Sequence, residues 1–142
     1  MLLKRLYWVS TGLLALLYAG SGIFYLTNLT HAQAIWQHLG FPGYLVPAMA
    51  VVKLVAAVII LWRPIIGIVD LTYAGMFFHL LLAMSAHLNA GDGGFAPAVV
   101  GLVLLVLSVF TQNSARTIPS PYGQWPSINR RGEQSHRGRQ SS

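Results

Sequence analysis

Apolar residues run along this chain in four long blocks, roughly Leu6 to Leu26, Tyr44 to Trp62, Ile65 to Leu88 and Ala96 to Gln112, separated by short connections rich in polar residues, Gly and Pro. Each block is near the ~20 residues that carry a helix across a ~30 Å hydrocarbon layer. The fourth is the shortest, yet its sequence AVVGLVLLVLSVF holds no charge and would be costly to leave in water. The pattern therefore predicts an all-α fold, an integral membrane four-helix bundle. The connection between the first two blocks has a pattern of its own. Thr30 and Gln33 form a capping-box pair, Ala32, Ile35, Trp36 and Leu39 share one helical face, and Gly40 follows. A short helix on the membrane surface is expected over Thr30 to Gly40. The first block also has the three parts of a secretory signal, with Lys4-Arg5, an apolar run and Ala19-Gly20-Ser21. Its apolar run continues through Ile23, Phe24, Tyr25 and Leu26, so a retained helix is expected.

Composition sharpens this picture. Hydrophobic residues make up 55% of the 142 and charged residues only 8%, against about 25% charged in a soluble domain. Too few charges remain to solvate a globular surface. Cysteine is absent, which excludes catalytic thiols, disulfides, Cys-ligated zinc and iron–sulfur clusters. The net charge of +6 raises the question of nucleic acid, but the placement of the nine basic residues answers it. Lys4, Arg5, Arg63, Arg116, Arg130, Arg131, Arg137 and Arg139 all flank the apolar blocks, and Lys53 alone lies within one. That distribution follows the positive-inside rule and leaves no basic face for tracking phosphates. Both termini and the Arg63 turn are expected in the cytoplasm, and the other two connections outside. The bilayer is the expected surrounding, with no nucleic-acid partner. From Asn113 the chain turns to Ser, Pro, Gln, Gly and Arg. A division into a membrane domain over residues 1–112 and a disordered, basic cytoplasmic tail over 113–142 is expected.

Polar residues inside the blocks carry the candidate chemistry. Lys53 is the most expensive, since a lone lysine at a helix centre costs at least ~2.5–3.5 kcal/mol on insertion. It should face the bundle interior, either as a functional group or as a structural one that fixes helix register. Counted at ~1.5 Å per residue from the cytoplasmic helix ends, Lys53 lies ~13 Å deep, Asp70 ~6 Å and His79 ~20 Å. Asp70 is the anionic partner and is expected to meet Lys53 directly or through water. His79 is expected to bond a hydroxyl such as that of Tyr18 or Ser108. Lys53, Asp70, Tyr73, His79 and Tyr18 make up the expected intramembrane polar core, with no catalytic set and no metal site. A bis-histidine haem would need histidines on facing helices, and the other three blocks contain none.

At this level of detail the chain resembles the DoxX-like family of small bacterial four-span membrane proteins. The likeness covers roughly Tyr7 to Gln112. It rests on Ser10-Thr11-Gly12, Leu39-Gly40-Phe41-Pro42, Lys53, Pro64, Tyr73-Ala74-Gly75-Met76 with Phe78, and His87-Leu88 followed by Gly91-Asp92. The resemblance implies a bacterial inner-membrane bundle, and some relatives are subunits linked to quinone-dependent oxidation. It also implies an acidic residue at Asp70 and a carboxylate where this chain has His79. Three readings follow. The first is a non-enzymatic membrane subunit or assembly factor, in a complex or a homo-oligomer, because no complete catalytic constellation is present. The second is the membrane subunit of a quinone-linked oxidoreductase. The third is a small-molecule carrier or binding protein. The cofactor stays open: quinone suits an apolar slot, whereas haem and iron–sulfur clusters are not expected.

Overall fold

The computed structural model describes residues 1–116. Among these, all regular structure is helical: α1 over Leu2–Thr27, α2 over Leu29–His38, α3 over Val46–Trp62, α4 over Ile66–Ala90 and α5 over Ala96–Thr111. Short 3-10 turns at Gly43–Leu45 and Gln112–Ala115 extend α3 and α5. With these turns included, four helices among the described residues are long and apolar enough to cross a membrane. The chain is a membrane protein.

The ends of the helices follow from local chemistry. Thr27 and Asn28 turn their side chains back onto the last carbonyls of α1, and α2 starts immediately afterwards. It begins one residue earlier than its sequence suggests, with Asn28 at the cap and no side-chain cap bond. Thr30 thus falls inside the first turn, and the expected capping box with Gln33 is not used. Gly40 at φ +87° ends this segment, in the left-handed region that glycine enters without a Cβ penalty. Pro47 and Pro97 sit in the first turns of α3 and α5, where a missing N–H costs no hydrogen bond. Arg63 ends α3 in the left-handed region, at φ 54° and ψ 55°, and Pro64 follows it.

The four long helices form a ring in the order α1, α3, α4, α5. The α1–α3 seam is the most closely packed, followed by α1–α5 and α4–α5, while α3 and α4 touch least. Small residues explain the tight seam. A Cβ on Gly22 would lie 3.0 Å from the Ala50 carbonyl oxygen and 3.1 Å from Leu54. Leu14, Ala57, Ile60, Val69, Met76 and Leu105 fill the interior. Large apolar side chains such as Leu16, Val52, Phe78 and Val103 point outward. In water they would be a liability; in a bilayer they are the solvated surface. The buried polar residues lie inside the ring: Ser10, Thr11, Lys53, Ser108, Thr111 and Gln112.

One end of the bundle gathers the basic groups. Arg63 donates from both terminal nitrogens to the Ala115 carbonyl oxygen at 3.1 Å, and its guanidinium lies over the rings of Tyr7 and Trp8. Residues 113–116, assigned on composition to a disordered tail, are held here by the 3-10 turn and by Arg63. The remainder of the expected tail, 117–142, lies outside the described residues.

Candidate functional site

Three side chains on α1 share one face by their spacing: Tyr18, Ser21 and Tyr25, separated by three and four residues. Lys53 reaches them from α3, across the seam that Gly22 and Ala50 hold close. Its Nζ donates to Ser21 Oγ at 2.7 Å. The ammonium also lies over two aromatic rings, 4.5 Å from the centroid of Tyr25 and 5.8 Å from that of Tyr18. Ring faces carry negative potential, so they stabilise a cation where water is scarce.

Tyr18 then links this group to α4, the helix diagonally opposite. Its Oη lies 3.0 Å from His79 Nδ1 and 3.2 Å from the Met76 carbonyl oxygen. One proton arrangement satisfies both contacts: Nδ1–H donates to the phenol oxygen, and the phenol donates to the carbonyl. His79 Nε2 is then left as an acceptor. On the other flank, Trp36 Nε1 of α2 donates to Tyr25 Oη at 3.1 Å. Lys53 is thereby walled by residues from α1, α2 and α4 as well as its own helix.

The expected pairing of Lys53 with Asp70 is not what the structure contains. Lys53 rises toward the α2 end of the bundle, because Ser21 and the two tyrosine rings lie on that side. Asp70 lies at the other end, 3.6 Å from an Arg116 guanidinium nitrogen. The choice between partners depended on the rotation of α4 and on residues after α5, neither of which is visible in a spacing argument. The chain's three acidic residues are Asp70, Asp92 and Glu133. Asp70 pairs with Arg116 and Asp92 with His87, while Glu133 lies outside the described residues. Among the described residues, no ion pair includes Lys53.

Tyr73 also belongs elsewhere. Its hydroxyl meets Ser108 Oγ at 2.6 Å, and Ser108 meets Thr11 Oγ1 at 2.6 Å, giving a buried relay across α4, α5 and α1. The buried Tyr7 hydroxyl has no hydrogen-bond partner among the described residues. The expected polar core therefore divides into three: Lys53 with Tyr18 and His79, Tyr73 in the hydroxyl relay, and Asp70 with Arg116. Ser21, Tyr25 and Thr11 complete the first two clusters. Their three- and four-residue spacing with Tyr18 gave a signal for the first pair, whereas Thr11 stood out only within the Ser10-Thr11-Gly12 motif, with no sign of its bond to Ser108.

Open space surrounds the lysine. A cavity of about 360 Å³ lies at the loose α3–α4 seam, lined by Tyr18, Met49, Val52, Lys53, Thr72 and His79 among others. A second, of about 340 Å³, runs from His79 toward Tyr25, Trp36 and Phe41 beneath α2. A third and smaller one, about 150 Å³, connects Ser21, Tyr25, Lys53 and His79 with His87 and Gly94 at the connection between α4 and α5. His79 borders all three. At the mouth, His87 Nδ1 lies 2.8 Å from the Asp92 carboxylate, which also accepts from the Gly94 amide at 2.8 Å. The Gly94 amide first, and His87 second, hold the Asp92 carboxyl below the usual carboxylate range. A separate groove of about 620 Å³ between α4 and α5 carries Asp70, Tyr73 and Gln112 on its wall.

No match was found among curated proteins or solved structures. The model of the DoxX-like family matches residues 9–111, from the first turns of α1 to the end of α5, and so takes in every residue of the lysine site. With its four apolar helices and this match over most of its length, the chain belongs to the DoxX-like family.

Proposed function

We propose that this DoxX-like protein is a non-enzymatic subunit of the bacterial inner membrane that holds a small, largely apolar molecule by an oxygen-bearing group at Lys53. The observation that carries this reading is that, among the described residues, no carboxylate pairs with the cation. An intramembrane ammonium whose protein partners are a neutral hydroxyl and two ring faces keeps unused N–H donors, and it sits where a mostly apolar cavity meets a smaller, more polar one. A purely structural lysine would instead be expected to have a carboxylate beside it. The surrounding wall is mostly apolar, as small-molecule sites usually are, with a few convergent polar groups.

The test is gentle purification followed by mass spectrometry of the co-eluting small molecules. A compound that accompanies the wild type in stoichiometric amount and is lost from Lys53→Met is expected. Equal recovery from both would remove Lys53 from the site. A second reading, as a quinone-linked oxidoreductase subunit, draws on the Tyr18–His79 pair, which offers a proton-exchanging group beside the same space. Quinone in the extract, reduced and reoxidised by the purified complex, would favour it.

The orientation proposed is both termini and the Arg63 turn in the cytoplasm. It draws on Arg63 and Arg116 lying at the end of the bundle that also holds the start of α1. A reporter active only outside the cytoplasm should work when fused after Gly91 and fail when fused after Arg63. The reverse result would invert the topology.

A further inference from the structure

We infer that the molecule held at Lys53 is a lipophilic acid, bound as its anion with the acid group on the lysine and the apolar body in the α3–α4 seam. This rests on the binding role proposed above and narrows it to a ligand class. Its first support is the donor count. Lys53 spends one N–H on Ser21, leaving two. Tyr25 Oη accepts from Trp36 Nε1, so its own proton is available. The two described carboxylates are engaged at the two ends of the bundle, Asp70 by Arg116 and Asp92 by His87. A neutral carbonyl oxygen can accept two of these donors but leaves the charge of the ammonium unanswered. An oxyanion satisfies several and supplies the missing counter-charge.

The second support is the shape of the space. The α3–α4 seam is the most loosely packed of the four, and its cavity is lined almost wholly by apolar side chains apart from Lys53, Thr72 and His79. Gly75 borders it, and a Cβ there would meet nothing within 4 Å. The cavity thus stays open on the side of the ring where α3 and α4 meet the lipid. By contrast, the smaller cavity that leads to His87 and Gly94 is rich in polar groups. A ligand polar at one end and apolar along the rest matches both. A hydrophilic anion would gain nothing from the seam, and a plain hydrocarbon would gain nothing from Lys53.

The experiment uses the full chain in nanodiscs of zwitterionic lipid and radiolabelled dodecanoate as the probe, with empty nanodiscs subtracted. Saturable retention is expected, displaced by unlabelled dodecanoate at least ~tenfold more effectively than by dodecanol, a ratio equal to about 1.4 kcal/mol. Lys53→Met should abolish retention, and Lys53→Arg should restore part of it. Gly75→Val places bulk in the seam without touching the lysine and should weaken retention on its own, which guards against a folding defect in the Lys53 variant. Equal competition by dodecanol, or retention unchanged in Lys53→Met, would overturn the acid assignment. If a neutral short-chain quinone were instead retained in a Lys53-dependent way, the acid assignment would fall and the binding role would stand. If nothing is retained and the purified protein also yields no bound compound, both fall.

Discussion

Asp92 is the residue where electrostatics and local geometry meet in the open, beyond the membrane-spanning part of α4. Its carboxylate accepts from the Gly94 amide and contacts His87, and these contacts favour the charged form. A carboxyl whose folded pKa lies below its unfolded value adds stability that is fully present above the ordinary carboxylate range, near pH ~4. That contribution is lost as pH falls through the depressed folded value. Asp92→Asn should therefore remove an acid-side step from the pH dependence of Gly94 amide exchange, and an unchanged profile would show that the turn is held by its backbone alone. The same scale shows what the sequence left open. Lys53 and His79 stand out in any reading, because ionisable groups in apolar blocks are costly. Their partners did not stand out, since depth along the helices left Asp70 and His79 both open to Lys53 and gave no weight to Ser21 on α1, which the structure pairs with it.

Among the elements, α1 is the one whose small residues decide its neighbours. Gly22 faces the Ala50 carbonyl and Leu54 at close range, whereas a Cβ on Gly12 would meet nothing within 4 Å. Gly22→Ala should lower stability by about 1–3 kcal/mol through overpacking against a backbone atom that cannot step aside. Gly12→Ala should be neutral or raise it by up to ~1 kcal/mol, because it reduces the entropy of the unfolded chain and nothing opposes the methyl. Thermal unfolding of the two variants in one detergent tests the contrast, and equal losses would mean that α1 and α3 are not held by this approach. Helix number and approximate extent were legible from the apolar blocks, since length against bilayer thickness is a strong constraint. The surface helix was legible in existence and face, while its start was misplaced by one residue because Asn28 serves both α1 and α2.

At the scale of the whole molecule, Arg63 joins three parts of the chain. It ends α3 in the left-handed region, it covers Tyr7 and Trp8 of α1, and it holds Ala115 beyond α5. A non-glycine residue in that conformation costs about 1–2 kcal/mol. Arg63→Gly removes both the ties and the strain, whereas Arg63→Ala removes the ties and keeps the strain. The expected order of unfolding temperature is wild type, then Gly, then Ala, and a more stable alanine variant would contradict it. The charge of Arg63 was legible as an orientation signal. Its bond to Ala115 was not, because composition alone assigned that stretch to the tail.

The polar residues of α1 also carry a record of time. Ser21 is met by Lys53 of α3, Tyr18 by Met76 and His79 of α4, and Thr11 by Ser108 of α5. Read from the α2 end of α1 to the other, the partners arrive in the order in which the ribosome makes them. Each new span would thus close one more hydroxyl of the first, and a nascent chain halted after Ala90 would still hold Thr11 and Tyr73 without the serine that joins them. In hydrocarbon an unanswered hydroxyl is a standing cost. Of the four described spans, the last to be synthesised is then also the one that completes the buried hydroxyl relay.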